Sequence, residues 1–394
     1  MTENSTETSS FTSRLLDWYD VHQRDLPWRM KAAGRRDREQ AGGLISNSTE
    51  NVTAPADSAA PADAGLCDAG LCGADSSAAG NIAYHVWLSE IMLQQTRVEA
   101  VKGYYARFLE ALPDIRSLAA AQEDVYLKLW EGLGYYSRAR NLHAAAKQIV
   151  ADGRFPDTLE GIRKLKGVGD YTAAAIGSIC FDLPAAVVDG NVYRVLARHF
   201  GLTTPVGTTE AKKEFTKLAN QLLPADSPAQ FNQGMMDFGA MQCTPANPDC
   251  LTCPLQASCN AFRTGRVEML PVKKPAVKVQ ERHFSYIYVR CEGYTAIRKR
   301  GAGDIWQGLY EPLVAKGASG YYFSDARANP EANAMLIREG VKHQLTHRLL
   351  VADFYLWECS YRPELPEGYF WIKEAELDRY AKPRLFELLL EALP

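Results

Sequence analysis

The residues of this chain whose types and spacing can do chemistry are two carboxylates, one glycine-bracketed turn and one tight group of cysteines. Glu90 stands in the run Leu88-Ser89-Glu90-Ile91-Met92-Leu93-Gln94-Gln95-Thr96, directly after Trp87. A carboxyl set among apolar side chains is partly desolvated, so its pKa rises and it can deliver a proton at neutral pH. Asp189 follows Val187 and Val188 and precedes Gly190, which puts a short carboxylate at a bend beside an apolar wall, a candidate acid or base. Each also has a plainer use, Glu on the wet face of an amphipathic helix and Asp as a turn or cap residue. Between them runs Lys166-Gly167-Val168-Gly169-Asp170-Tyr171, ahead of an Ala-rich helical stretch. Gly167 and Gly169 leave backbone N–H groups at a helix N-terminus open to a phosphate, although the same glycines would serve an ordinary turn.

Further on, Cys243, Cys250, Cys253 and Cys259 are separated by six, two and five residues. Four thiols crowded into so short a stretch imply a metal, and both zinc and an iron–sulfur cluster accept four thiolates. The spacing lacks the paired Cys-x-x-Cys knuckles usual for zinc, which leans toward a cluster. The chain has nine cysteines, an odd number that suits a metal site in a reducing compartment better than a disulfide framework.

Stepping outward, these residues need helices to position them. Apolar spacing predicts a helix over 11–21, then the segment Asp25-Leu26-Pro27-Trp28-Arg29. Residues 31–81 are low in large apolar side chains and rich in Ala, Ser, Asp and Gly, so they read as a disordered insertion that cannot offset its ordering entropy. A helical pattern resumes at 84–96 and continues through Val98, Val101, Tyr105, Phe108 and Leu112, burying one face. Gly132-Leu133-Gly134-Tyr135-Tyr136-Ser137-Arg138 sets aromatic rings beside guanidiniums, as nucleic-acid contact or a helix corner would require. Helices are expected near 215–223 and 231–241. After the cysteines a basic, proline-bearing linker gives way to strands at 284–290, 295–299, 349–361 and 369–372 and a helix over 384–393, an α+β pattern.

At 394 residues the chain exceeds one ordinary core, so two domains are expected. Hydrophobic residues make up 46%, but no apolar run approaches a bilayer span, and the first residues lack a signal-peptide pattern. The expectation is a cytoplasmic protein, on the nucleoid in a bacterium, without a membrane role. The net charge of −3 hides a basic stretch: between Arg263 and Arg300 ten Lys or Arg face three Glu, the kind of segment that lies along phosphates.

Taken together and in this order, the Glu90 run, the segment Gly132–Leu142, the Gly167–Gly169 turn, Asp189-Gly190-Asn191-Val192 and the cysteine group resemble the MutY-type adenine DNA glycosylases of the helix-hairpin-helix, endonuclease III superfamily. The resemblance implies a mainly α, two-lobed helix-hairpin-helix glycosylase domain over 11–262 with an iron–sulfur cluster loop. A basic interdomain linker over 263–282 and a C-terminal α+β Nudix-like domain over 283–394, which recognises 8-oxoguanine, would follow. The implied activity is excision of adenine mispaired with 8-oxoguanine or guanine in double-stranded DNA, by a monomer carrying a [4Fe-4S] cluster on Cys243, Cys250, Cys253 and Cys259. On this resemblance Glu90 protonates adenine and later helps activate water, and Asp189 stabilises the sugar cation. Tyr171 and Asn191 support the sugar and its phosphate, Arg29 and Asp237 line the adenine pocket, and Gln95, Thr96, Leu133 and Tyr135 serve the opposite-base side.

The chain also departs from the family. Lys166 stands where Pro is usual, and Leu345-Thr346-His347 replaces the Phe-Ser-His loop that reads 8-oxoguanine, so Thr346 and His347 inherit that expectation with a hydroxyl but no Phe ring. No Nudix-box array of Glu is present. Tyr171 occupies the position of the Schiff-base Lys in the endonuclease III type, which implies hydrolysis without strand cutting. Two other readings remain: a glycosylase for another mispaired base such as thymine, and a non-catalytic iron–sulfur protein that binds DNA damage. Glu90 with Arg29 argues for a purine leaving group, and Glu90 with Asp189 argues against the non-catalytic reading.

Overall fold

The computed structural model describes residues 2–29, 78–274, 279–315 and 334–394. The insertion expected over 31–81 lies outside the described residues except for its last four, which are helical. In chain order the helices are α1 (Thr2–His22), α2 (Ala78–Leu93), α3 (Val98–Ala111), α4 (Ile115–Ala120), α5 (Glu123–Leu129), α6 (Ser137–Asp152), α7 (Leu159–Arg163), α8 (Asp170–Phe181), α9 (Gly190–Phe200), α10 (Thr209–Leu222), α11 (Pro228–Met241), α12 (Asn260–Arg263) and α13 (Arg384–Leu390). Two units form, one from the residues up to Glu90 with Ile149–Lys274, the other from Ile91–Gln148 with Pro275–Pro394.

The first unit is helical. Phe11, Leu15, Trp18 and Tyr19 of α1 bury one stripe against α11, where Trp18 meets Phe238 edge-on at 5.0 Å. The pair α7 and α8 makes a helical hairpin. The Thr158 hydroxyl caps α7 by accepting from the Gly161 N–H at 3.1 Å, and the turn buries Leu165 and Val168 while Gly167 takes a left-handed φ of 78°. A Cβ on Gly177 would stand 2.8 Å from Leu159 Cδ2, so the two helices cross where α8 has no side chain. Residues after α12, read as the start of a linker, pack into this unit: Leu270 is buried, and the Val206 N–H donates to the Val272 carbonyl at 2.9 Å.

In the second unit α3 buries Val101, Tyr105 and Phe108. The helical pattern expected to run on from α2 is interrupted: Gln95 adopts φ 58°, and the Thr96 N–H reaches back to the Leu93 carbonyl. Arg138 holds the break: its Nη1 donates to the carbonyls of Ile91, Met92 and Gln94 at 2.8, 2.9 and 2.7 Å, satisfying orphan carbonyls at the α2 terminus in place of a further helical turn. The C-terminal part holds strands β1 (Gln280–Arg290), β2 (Tyr294–Lys299), β3 (Tyr310–Glu311), β4 (Leu313–Val314), β5 (Met335–Gln344), β6 (Arg348–Glu358) and β7 (Tyr369–Lys373). One sheet has the order β4-β1-β6-β5, the other β3-β2-β7. Strands β1 and β6 run parallel, with Gln280 opposite Arg348 and Arg290 opposite Glu358, so residues 280–282, assigned to the linker, belong to the sheet. Leu385, Phe386 and Leu389 of α13 close a core with Phe284, Tyr286 and Phe354. Among the described residues no helix is long and apolar enough to cross a membrane.

Candidate active site

In the first unit Glu90 sits in the last turns of α2 and is buried, 7% exposed. Burial raises its pKa to about 7; a hydrogen bond from the Tyr171 hydroxyl and the charge of Arg29 pull it down, and Asp189 pushes it further up. Tyr171 projects from the first turn of α8, and its hydroxyl donates to Glu90 Oε2 at 3.2 Å and lies 3.4 Å from Met236 Sδ. Burial, then the Glu90 charge, raises the phenol well above its ordinary value, so it stays a donor.

Arg29 is held by Asp237, which is fully buried on α11. Its Nη1 and Nη2 meet Oδ2 and Oδ1 at 2.5 and 2.8 Å, a bidentate pairing that fixes the guanidinium plane. Arg24, which sequence reasoning missed, completes the group with its Nε on Oδ1 at 2.7 Å and its N–H on Oδ2 at 3.1 Å. Burial alone would raise Asp237, but the two guanidiniums outweigh it and hold the carboxyl below its usual range. Two cations on one buried anion leave net positive charge near Glu90.

Asp189 turns out to be both a candidate reactive group and the N-cap of α9. Its Oδ1 accepts from the N–H groups of Asn191 and Val192 at 2.9 and 2.8 Å, and its Oδ2 from Asn191 Nδ2 at 2.9 Å. Burial raises its pKa against the lowering by these three bonds. The extended approach to Asp189 is pinned by Asn232, fully buried on α11, which accepts from the Val187 N–H at 3.0 Å and donates to the Ala185 carbonyl at 2.8 Å. Asn191 is itself oriented by Arg194, whose Nη2 donates to its Oδ1 at 2.8 Å and to the Gly239 carbonyl at 2.6 Å.

Gly167 and Gly169 are exposed at the head of α8, and a Cβ on Gly169 would touch nothing within 4 Å, which leaves this helix N-terminus open to an anion. Lys166 is exposed beside them. Cys243, Cys250, Cys253 and Cys259 are free, half-buried thiols. Burial raises the pKa values of Cys250, Cys253 and Cys259, with the charges of neighbouring cysteines adding to it. Arg198 of α9 donates to Cys243 Sγ at 3.4 Å and to the Thr244 carbonyl at 2.7 Å. Among the described residues no three His, Cys, Asp or Glu are gathered closely enough to grip a single ion.

The second unit carries the rest. Gln95 is exposed in the turn after α2, and the Thr96 hydroxyl accepts from Arg138 Nη2 at 3.3 Å. Leu133 is buried, with its carbonyl on the same guanidinium at 3.2 Å. Tyr135 is exposed at φ 49°, and its hydroxyl is hydrogen-bonded to that of Thr346. His347 is exposed, and its carbonyl accepts from the Gln280 N–H at 3.2 Å. Arg24, Asn232 and Arg198 left no local trace in the sequence, since their partners lie 45 or more residues away along the chain; Arg138 was read only as a guanidinium beside aromatic rings, and its hold on the α2 terminus, 44 to 47 residues away, was not.

Residues 88–221 match the family described as HhH-GPD superfamily base excision DNA repair protein, and residues 285–392 match the NUDIX domain. The adenine DNA glycosylase of Mus musculus is 38% identical over 271 residues, which cover 67% of this chain and 45% of that protein. The adenine DNA glycosylase of Buchnera aphidicola subsp. Schizaphis graminum is 36% identical over 229 residues, covering 58% of this chain and 66% of that protein. The chain thus spans less than half the length of the mouse relative. The solved structure of a thermostable thymine-DNA glycosylase shares 25% identity and a TM-score of 0.50, covering 66% of this chain and 99% of that one.

Proposed function

The chain carries an HhH-GPD base excision DNA repair domain and a NUDIX domain, and from this premise we propose that it is an adenine DNA glycosylase acting on adenine opposite 8-oxoguanine or guanine in duplex DNA. The observation that carries the reading is Glu90, a buried carboxyl with a pKa of about 7 under the Tyr171 hydroxyl. Releasing a purine takes a proton on the leaving base and negative charge beside a sugar of oxocarbenium character. With its pKa raised to about 7, Glu90 keeps a protonated population at neutral pH and supplies the first. Asp189, held rigidly by its own helix, supplies the second. Identity of 38% and 36% to two adenine DNA glycosylases supports the same chemistry. The adenine must leave the stack to reach these groups, and a mispair lowers that cost. Tyr171 offers no amine for a Schiff base, so the strand stays uncut.

Cys243, Cys250, Cys253 and Cys259 would hold a [4Fe-4S] cluster, a reading that rests on four soft thiol donors, free and half-buried, in one short loop. When bound, it would cross-link the loop and fix it against α9; iron and acid-labile sulfide in equal amounts would bear this out. The test of the activity is base release by excess protein from duplexes carrying A opposite 8-oxoguanine, G or T, each with and without alkali. Cleavage that appears only after alkali, and not from A:T, is expected. A borohydride-trapped adduct would overturn the hydrolytic mechanism, thymine release from T:G duplexes would replace the substrate, and binding without release would leave a damage-binding protein.

A further inference from the structure

We infer that Lys299 is a positioning residue that docks the β3-β2-β7 sheet onto α5 and, through the core this sheet shares with the sheet carrying β5 and β6, holds Thr346 against Tyr135, an inference that rests on the function proposed above. Within the second unit the Lys299 Nζ, at the end of β2, lies 2.7 Å from Asp124 Oδ1 and 2.9 Å from Glu123 Oε2, both in the first turn of α5. The Tyr310 hydroxyl donates to Asp124 Oδ2 at 3.2 Å. Beside them Gly308, at φ 83°, approaches so closely that a Cβ would stand 2.9 Å from Leu127 Cδ1 and 3.2 Å from Glu123 Oε1. Two further ties flank this contact: Arg140 Nη1 donates to the Gln307 carbonyl at 2.6 Å, and the Lys382 N–H donates to Glu131 Oε1 at 2.6 Å.

The hydroxyl pair of Tyr135 and Thr346 is exposed, and one exposed hydrogen bond is too weak to set the place of a strand connection by itself. Its geometry is therefore inherited from the docking of β2 and the 304–310 turn on α5. Lys299 is the member that meets two acids at once, and its side chain is 34% exposed, so its sign can be reversed without burying a new charge. Reversal sets three negative charges together and pushes the sheet off α5.

The test compares full-length Lys299→Glu, the pair Glu123→Lys with Asp124→Lys, and all three changes combined, by single-turnover adenine release and by amide hydrogen exchange. Lys299→Glu should lower the rate on A opposite 8-oxoguanine about tenfold while changing the rate on A opposite G less than twofold, should accelerate exchange across α5, and the combined variant should restore both readouts. Parallel loss on the two duplexes, an unchanged ratio, or no rescue would overturn the positioning role. A wild-type protein that releases no adenine would overturn the proposed function and with it the specificity role, while exchange across α5 would still decide whether Lys299 docks the sheet.

Discussion

At the scale of single residues, Glu90 combines the requirements of a proton donor at neutral pH: burial that raises it, and a phenol and a guanidinium that keep it from rising out of range. Glu90→Gln should lower adenine release by about 10²–10⁴-fold while leaving lesion binding intact; retained release would remove Glu90 from the chemistry. In the wild-type protein the rate should fall as pH rises through about 7, where the carboxyl loses its proton. Tyr171→Phe removes a bond that favours the ionised form, so the midpoint of that profile should move upward, and a downward move would contradict the arrangement. Glu90 was legible because its apolar surroundings are its own helical neighbours. Arg24 was not, because its partner Asp237 lies 213 residues away and only the packing of α11 beneath the α1 terminus brings them together.

At the scale of elements, α9 does two jobs, and its substitutions separate them. Asp189→Asn keeps a good cap, so stability should drop by less than about 0.5 kcal/mol while base release is lost; Asp189→Ala also loses the cap, for about 1 kcal/mol more. Equal denaturation midpoints for the two would show that the cap contributes nothing. Gly239 poses a sharper question of sign. In the last turn of α11, Ala in place of Gly would ordinarily stabilise the helix by up to about 1 kcal/mol. Here the new Cβ would stand 2.6 Å from Asn191 Cβ and 3.1 Å from its backbone, and overpacking of that kind costs about 1–3 kcal/mol. Gly239→Ala should therefore destabilise in urea titration and displace Asn191, slowing base release. The helices, the hairpin turn and most strands could be read from periodicity and glycine placement. Others could not: the break after α2, held by Arg138 from 44 to 47 residues away; β3 and β4, two residues each and too short for any period; and β5, an edge strand whose residues are largely exposed and whose pairing shifts register twice, leaving no alternation to detect.

At the scale of the molecule, two buried groups of the first unit couple its stability to pH with opposite signs. Glu90 has its pKa raised to about 7 from 4.5, so the folded chain binds the extra proton between those values, and the stabilisation present below them is lost as pH rises through 7. His199, packed between Phe11 and Phe200 with neither ring nitrogen partnered among the described residues, has its pKa lowered by burial to about 4. The unfolded chain binds that proton first, so this stability, full above the ordinary value of 6.5, falls as pH drops toward 4. Over the shared window the two slopes, each at most about 1.4 kcal/mol per pH unit, oppose one another. Glu90→Gln should therefore make the thermal midpoint fall more steeply on acidification from pH 6.5 to pH 5, and His199→Phe should make it rise relative to wild type; slopes of the same sign would refute the pairing.

The seating of the C-terminal sheet on α5 has one more consequence, and it concerns time. The sheet is already docked in the free chain, so Tyr135 and Thr346 meet a duplex as one surface whose ordering entropy was spent when the chain folded. On the function proposed above, the dwell at each base pair then needs to cover contact alone, with no wait for a loop to assemble.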